Sequence, residues 1–295
     1  MLSVGRCRHA GAELHRTLSI DPWLLRHLVL SIDDRSRAPR DAAGLDRAIS
    51  WALDELVPDE PHAPFGPPVG AALGPAIVMG LPLWAFETNA WVLAPRGAGH
   101  SCVLIDVPPD VRPLLVALDR LRLRVSAVFL THAHLDHTGG VGELLETLDV
   151  DGPVFVHRDD VAQVMEPIGV DRLMARAHGV RRPPAGAFVS VVDGQRVIAA
   201  GVEMRVMHAP GHTPGTTCWL AKLAPRPLLF TGDQMFANGW GRCDLAGGCA
   251  ETMDASMASR ILTLEDDLIV LPGHGRASTL GDARRAYGLV AAPGV

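Results

Sequence analysis

Residues 125–138 have the sequence VSAVFLTHAHLDHT, a continuous apolar run followed at once by three histidines and an aspartate. Such a run, with turn signals beyond it, is typical of a strand buried on both faces. Side chains two apart on extended backbone point the same way, so His132 and His134 can converge on one point. Asp136 and His137 follow as the chain turns into a helix, and they swing toward a neighbouring point. Because such groups are costly to hold together without a cation, the spacing predicts two adjacent metal ions.

Three later motifs also place a candidate ligand at the end of an apolar stretch. Two Pro-Gly turns brace His212, whereas His208 is expected to pack on the preceding strand rather than to bind metal. Asp233 follows the run LLFTG, where a carboxylate is well placed to bridge two cations, and His274 stands on a tight turn after VLPG. The candidate ligands are therefore five histidines and two aspartates without a cysteine. This donor set favours zinc, iron or manganese over a thiolate-rich structural zinc site.

The rest of the chain predicts a mixed α/β fold. Residues 58–70 carry five prolines and are typical of a linker. We therefore expect an N-terminal helical extension over residues 1–70 and a second domain over residues 71–295. The predicted elements are helices over 21–30, 41–57 and 110–123, strands over 76–81, 84–93, 101–107 and 125–130, and a strand-rich stretch over 187–230.

Composition and charge exclude several classes of function. A net charge of -6 and an aromatic content of 5% argue against a nucleic-acid surface. No run approaches the roughly 18 to 20 apolar residues that a membrane span needs. The five cysteines are odd in number and none forms a C-x-x-C pair, which favours a reducing cytoplasm. We therefore expect a cytoplasmic protein that acts on a small molecule, with no nucleic-acid or membrane partner.

Taken in order, the motifs resemble those of the metallo-β-lactamase-fold superfamily. The resemblance covers roughly residues 71–290 and implies an αββα sandwich with a metal site at one sheet edge. It implies that His132, His134 and His212 bind a first metal ion, that Asp136, His137 and His274 bind a second, and that Asp233 bridges the two. Asp106 matches a family aspartate that orients the ligand loop, and we assign Thr131 to the same positioning role.

Within this superfamily the chain is most similar to the glyoxalase II-like (hydroxyacylglutathione hydrolase-like) branch. The similarity rests on Thr88-Asn89-Ala90 and on Gly241-Arg242-Cys243-Asp244-Leu245. The sequence departs from full-length glyoxalase II because only 21 residues follow His274, too few for the helical domain that helps to hold glutathione. Glutathione is therefore not assumed to be the thiol.

The expected activity is hydrolysis of a thioester or a related acyl ester by hydroxide generated at two divalent metal ions. Zinc is favoured, with iron or manganese as alternatives, and Asp136 is assigned a catalytic role in holding the proton of the nucleophile. One alternative is an oxidoreductase resembling the persulfide dioxygenases, with a single iron held by His132, His212 and Asp233. Another alternative is a lactone or β-lactam hydrolase, because one fold hosts many chemistries.

Two assignments outside the metal ligands complete the expectations. Arg242 and Asn238 are assigned to substrate binding, with the alternative that Arg242 is a buried arginine holding a loop. For residues 1–70 the sequence leaves three alternatives open: they cap the active site, they form a homodimer contact, or they pack on the second domain as additional helices without a role in function.

Overall fold

The computed structural model describes residues 29–30, 76–95, 100–223 and 227–286. The predicted linker over residues 58–70 and the predicted helix over residues 41–57 lie outside the described residues. So does most of the predicted helix over residues 21–30. Its last two residues are described, and there the prediction is wrong, because Val29–Leu30 form a strand that pairs with residues 79 and 80.

Two β-sheets form the centre of the molecule. The first contains, in spatial order, β1 (Val29–Leu30), β2 (Ala76–Leu83), β3 (Thr88–Pro95), β4 (Ser101–Ile105), β5 (Arg124–Phe129), β6 (Val154–His157) and β7 (Phe188–Val191). The second contains β13 (Ser278–Thr279), β12 (Ile269–Pro272), β11 (Leu228–Gly232), β10 (Thr217–Lys222), β9 (Val202–His208) and β8 (Arg196–Ala199). Strands β4 to β7 run parallel, as do β11 and β12, and the other neighbours are antiparallel.

Helices cover the outer face of each sheet. They are α1 (Arg112–Leu121), α2 (Leu135–Thr138), α3 (Val141–Thr147), α4 (Val161–Met165), α5 (Gly169–Ala177), α6 (Ala250–Ser256) and α7 (Leu280–Ala286). Apolar side chains of α1, α3 and α4 pack on the first sheet, and those of α6 and α7 pack on the second. Among the described residues, no helix is long and apolar enough to cross a membrane.

Large aromatic side chains fill the space between the sheets. The ring centroids of Phe129 and Trp219 lie 4.8 Å apart, and those of Trp91 and Phe230 lie 6.3 Å apart, so each pair joins one sheet to the other. All four side chains are almost completely buried. The predicted αββα sandwich is confirmed.

The topology brings several polar strand ends to one edge of the sandwich. Strand β5 lies between β4 and β6 in a parallel arrangement, so its carboxyl end, which leads into His132, lies beside the end of β4, which leads into Asp106. In the second sheet the parallel pair β11 and β12 likewise leads into Asp233 and His274. Since carboxyl ends of parallel strands meet at the same edge, the predicted ligands come together there.

Strand β3 begins later than the sequence predicts. The predicted strand over residues 84–93 is wrong at its start, because the chain reverses direction between Trp84 and Glu87. Both residues adopt left-handed backbone, with φ of 62° and 55°, and the Glu87 N–H donates to the Trp84 carbonyl at 3.3 Å. A turn built without glycine, asparagine or proline at these positions leaves no turn signal in the sequence.

Candidate metal centre

Three buried histidines form the first ligand set. His134 Nδ1 lies 2.8 Å from His212 Nε2, which in turn lies 3.1 Å from His132 Nε2. Burial lowers the pKa of all three imidazoles, and that of His134 falls to about 3. The rings are therefore neutral at pH 7, and the neutral ring is the form that binds a metal ion.

Asp136, His137 and His274 form the second ligand set, which is partly open to solvent. The Asp136 Oδ2 atom lies 3.5 Å from His137 Nε2 and 3.2 Å from His274 Nε2. Burial alone would raise the pKa of Asp136, but the two imidazoles hold it at about 2. Burial alone would lower the pKa of His274, but the carboxylates of Asp136 and Asp233 raise it to about 9.

Asp233 lies between the two sets. Its Oδ1 is 3.2 Å from His137 Nε2, and its Oδ2 is 3.4 Å from His274 Nε2 and 3.6 Å from His212 Nε2. Among the described residues, His137 Nε2 and Asp233 Oδ1 are buried without a hydrogen-bond partner, despite their proximity. A cation between these atoms would satisfy both, so the residues present fit a metal ion at this position.

Asp106 fixes the orientation of two rings. It follows β4 directly in left-handed backbone (φ 59°) and accepts hydrogen bonds from the Thr131 N–H at 2.8 Å and from the Thr131 hydroxyl at 2.7 Å. It also accepts from His137 Nδ1 at 2.7 Å, so that Nε2 faces the site. Because the Thr131 hydroxyl donates to Asp106, it accepts from His132 Nδ1 at 3.0 Å, which turns His132 Nε2 to the site as well.

Backbone carbonyls orient two further rings. His212 Nδ1 donates to the Arg242 carbonyl at 2.7 Å, and His274 Nδ1 donates to the Phe86 carbonyl at 3.0 Å. A carbonyl can only accept, so the Nε2 atom of each ring is left to face the cluster.

The Thr88-Asn89 segment aligns the second set. The Thr88 hydroxyl donates to Asp136 Oδ2 at 2.9 Å. The Asn89 side-chain amide donates to the carbonyls of Pro272 and Gly275 at 3.0 and 2.9 Å, on either side of His274. The sequence singled out this segment by resemblance alone, whereas the structure shows what it contacts.

Comparison with known sequences identifies the family. The sequence model of the Metallo-beta-lactamase superfamily matches residues 83–274. The chain belongs to the metallo-beta-lactamase superfamily. An uncharacterized protein of Mycobacterium leprae, ML0493, is 35% identical over 71% of this chain and 96% of its own length. The hydroxyacylglutathione hydrolase GloC of Haemophilus influenzae is 28% identical over 70% of this chain and 94% of its own.

Three solved structures are similar to this chain in sequence and architecture. The BLEG-1 B3 metallo-beta-lactamase is 30% identical, with a TM-score of 0.61 over 70% of this chain and 95% of its own. TTHA1623 in a di-iron-bound form is 33% identical, with a TM-score of 0.58 over 70% of this chain and 97% of its own. ETHE1 from Myxococcus xanthus is 25% identical, with a TM-score of 0.56 over 71% of this chain and 82% of its own.

The structure thus brings together all seven residues predicted as ligands, and the metallo-beta-lactamase fold with this cluster implies divalent metal ions. That each of these residues binds metal stays a prediction. His208 lies outside this cluster: the centroid of its ring is 3.9 Å from that of His157, and its Nε2 donates to the Pro214 carbonyl at 2.9 Å.

The predicted substrate residues lie on the loop after β11. The alternative that Arg242 is buried is wrong, because its guanidinium is exposed and forms two hydrogen bonds with the Asp244 carboxylate, at 2.6 and 2.7 Å. Its contribution to the metal centre is the backbone carbonyl that holds His212. Asn238 is exposed at the same loop. Substrate binding by Arg242 and Asn238 stays a prediction.

Sequence reasoning missed two buried aspartates that contact the ligand loop. Asp171 on α5 accepts a hydrogen bond from the Leu135 N–H at 3.3 Å. Asp160, between β6 and α4, accepts from Thr213 and Gly215 on either side of Pro214. No local pattern marks either residue, because each acts on a loop that is distant in sequence.

Proposed function

We propose that this protein hydrolyses a thioester or a related acyl ester of a small molecule, using two divalent metal ions. The observation that carries the proposal is the position of Asp233. One of its oxygens faces His137 of the second set, and the other faces His212 of the first and His274 of the second. A carboxylate placed in this way fits a bridge between two ions held side by side.

The side chains around the cluster suit this reaction. A divalent metal ion lowers the pKa of bound water to about 7 and polarises a carbonyl oxygen. Asp136 is charged at neutral pH, because its pKa is about 2 in the presence of His137 and His274. The Thr88 hydroxyl holds Asp136 Oδ2, and the carboxylate is placed to orient the attacking water by accepting a hydrogen bond from its proton.

The relatives support a hydrolase of this kind. This chain matches 94% of the length of GloC, which is named a hydroxyacylglutathione hydrolase. The donor set of imidazoles and carboxylates favours zinc, and TTHA1623 in its di-iron-bound form makes iron the first alternative.

The alternative function is that of a mononuclear iron oxidoreductase, the persulfide dioxygenase chemistry associated with ETHE1. It is favoured by the structural likeness to ETHE1 and by the convergence of His132, His212 and Asp233. Against it, four further metal-binding side chains meet at the same place, and His137 Nε2 would stay buried without a partner among the described residues. A lactone or β-lactam substrate, suggested by BLEG-1, would use the same hydrolytic machinery.

Metal stoichiometry tests the proposal most directly. Elemental mass spectrometry of protein purified without added metal is expected to give two ions per chain, mainly zinc. His134→Asn and His274→Asn each remove one ligand from a different set and are expected to lower the content toward one ion. One iron per chain with no zinc would favour the oxidoreductase, and the absence of metal would overturn both functions.

Turnover assays separate the remaining alternatives. The metal-loaded protein is expected to release thiol from acyl thioesters, and the His134→Asn variant is the matched control for contaminating esterase activity. Oxygen consumption with a persulfide substrate, without thioester turnover, would overturn the hydrolase proposal. Turnover of lactones or β-lactams alone would retain the hydrolase and change its substrate.

A further inference from the structure

Alternate backbone amides of the ligand loop face a series of buried carboxylates. The Thr131 N–H donates to Asp106 at 2.8 Å and the Leu135 N–H donates to Asp171 at 3.3 Å, and between them the Ala133 N–H interacts electrostatically with the Asp160 carboxylate. The residues between these amides are His132 and His134, whose side chains turn to the metal centre. Each of the three aspartates comes from a different part of the chain.

Asp160 differs from the other two because it also holds the second ligand loop. Its Oδ2 accepts from the Thr213 hydroxyl at 2.7 Å, and its Oδ1 accepts from the Gly215 N–H at 2.7 Å. These donors follow His212 directly in the chain. Asp160 is completely buried, so water cannot replace the protein donors if they move away.

The support of Asp160 is itself rigid. Its N–H donates to the His157 carbonyl at 3.0 Å, and its own carbonyl accepts from the first turn of α4. A Cβ atom at Gly215 would lie 2.5 Å from Asp160 Cγ, so only glycine lets the loop approach this closely. The stacking of His208 on His157 ties the start of the same loop to the same turn.

We propose that Asp160 is a positioning residue that fastens the loop carrying His212 to the end of β6, beside the end of β5 that carries His132 and His134. The inference rests on the proposed metal centre, whose first ligand set draws two histidines from the end of β5 in one sheet and the third from the β9–β10 connection in the other. Metal–nitrogen distances tolerate displacements of only about 0.2 Å, so the three rings bind one ion well only while the two loops keep their relative position.

The test compares Asp160→Ala with Asp160→Asn in the full-length protein. Alanine removes the acceptors of the Thr213 hydroxyl and the Gly215 N–H. In Asp160→Asn, the side-chain oxygen can still accept from the Gly215 N–H, and the side-chain NH₂ can donate to the Thr213 hydroxyl oxygen. The Thr213 hydroxyl then donates its own hydrogen to Thr216 Oγ1, which lies 2.9 Å away. Asp159→Ala is the matched control, because Asp159 is an exposed carboxylate on the same turn. Zinc dissociation constants are measured by competition with a chelator. Each variant is also measured together with His274→Asn, which removes a ligand of the second set and leaves only the first set intact.

We expect Asp160→Ala to weaken zinc binding at the first set by about 10- to 100-fold, as for other residues that orient metal ligands. The ligand-field spectrum of bound Co²⁺ should change with it. Asp160→Asn and Asp159→Ala should bind close to the wild-type value, and the melting temperature of the metal-free Asp160→Asn protein should be unchanged.

Several outcomes would overturn the inference. Wild-type zinc affinity in Asp160→Ala would overturn it, and so would an equal loss of affinity at both ligand sets. Should Asp160→Ala fail to fold, Thr213→Val decides: weaker binding at the first set supports the inference, and unchanged binding overturns it. If the wild-type protein contains no metal, the proposed function itself is overturned. If the wild type holds two ions and Asp160→Ala binds zinc with the same affinity, only this inference is overturned.

Discussion

Gly241 packs against two ligand residues at once. A Cβ atom at this position would lie 2.7 Å from His212 Nδ1 and would contact the Asp233 carbonyl even more closely. The Gly241 N–H also donates to that carbonyl at 2.7 Å, so the loop cannot move away without losing the bond. We therefore expect Gly241→Ala to lower metal content and turnover together.

The matched control for Gly241→Ala is Gly186→Ala. Among the described residues, nothing lies within 4 Å of a Cβ atom at Gly186. This variant should keep the metal content of the wild type, measured by elemental mass spectrometry. Equal metal content in the two variants would show that the Gly241 contact does not constrain the ligands.

Asp106→Asn tests how a single ring is oriented. The Asp106 carboxylate accepts from His137 Nδ1 and from both the N–H and the hydroxyl of Thr131. The NH₂ group of asparagine can only donate, so it would face a donor of one of these two residues. The exchange favours the other tautomer of His137, in which Nε2 carries the proton and cannot bind metal. We expect metal affinity at the second set to fall about 10- to 100-fold. Isothermal titration of the metal-free protein measures it, and an unchanged affinity would refute the orienting role.

At the scale of the element, helix α1 ends in a strained residue. Arg122 caps this helix in left-handed backbone (φ 53°), and its N–H donates to the carbonyls of the last turn. Glycine adopts this conformation without steric cost, so Arg122→Gly should stabilise the protein by about 0.5–1 kcal/mol. Ala117→Gly inside the same helix should destabilise it by about 1 kcal/mol. Urea unfolding measures both, and a loss of stability in both variants would contradict the assignment.

The elements that were predicted correctly have clear patterns, and those that were not lack them. Strand β5 starts and ends within one residue of the predicted range 125–130, because an apolar run buried on both faces is visible in the sequence. The β2–β3 turn is not visible, because Trp84 and Glu87 adopt left-handed backbone that their residue types do not favour. The tertiary structure, rather than local preference, holds this turn.

The same distinction applies to the candidate metal centre. The convergence of its seven candidate residues was predictable because the histidines and aspartates stand at strand ends with a spacing that fits a metal ion. Asp160 and Asp171 were not, because an aspartate usually faces solvent and only the fold brings these two to backbone amides of distant loops.

At the scale of the whole molecule, the metal centre joins the two sheets. His132 follows β5 of the first sheet, and Asp233 follows β11 of the second. Metal binding therefore stabilises the folded arrangement of both sheets and is linked to global unfolding. At a free metal concentration 100 times the dissociation constant, each site should add about 2.7 kcal/mol, or roughly 5–10 °C in melting temperature. Calorimetry with and without a chelator measures this shift, and equal melting temperatures would contradict the linkage.

The metal-free protein should be most stable near pH 6.5, where histidine titrates in the unfolded chain. The pKa of His134 is about 3 and that of His157 about 4, since burial disfavours their charged forms. The unfolded chain therefore binds more protons below pH 6.5, and stability falls as the pH decreases. His274 has the opposite effect. Its pKa is raised to about 9 by Asp136 and Asp233, so its contribution to stability is complete below pH 6.5 and is lost as the pH rises to 9.

Urea unfolding at several pH values, with a chelator present, measures how the stability of the metal-free protein depends on pH. His157→Asn should flatten the acid side alone, and stability that rises steadily from pH 6.5 to 9 would contradict the ion pairs around His274.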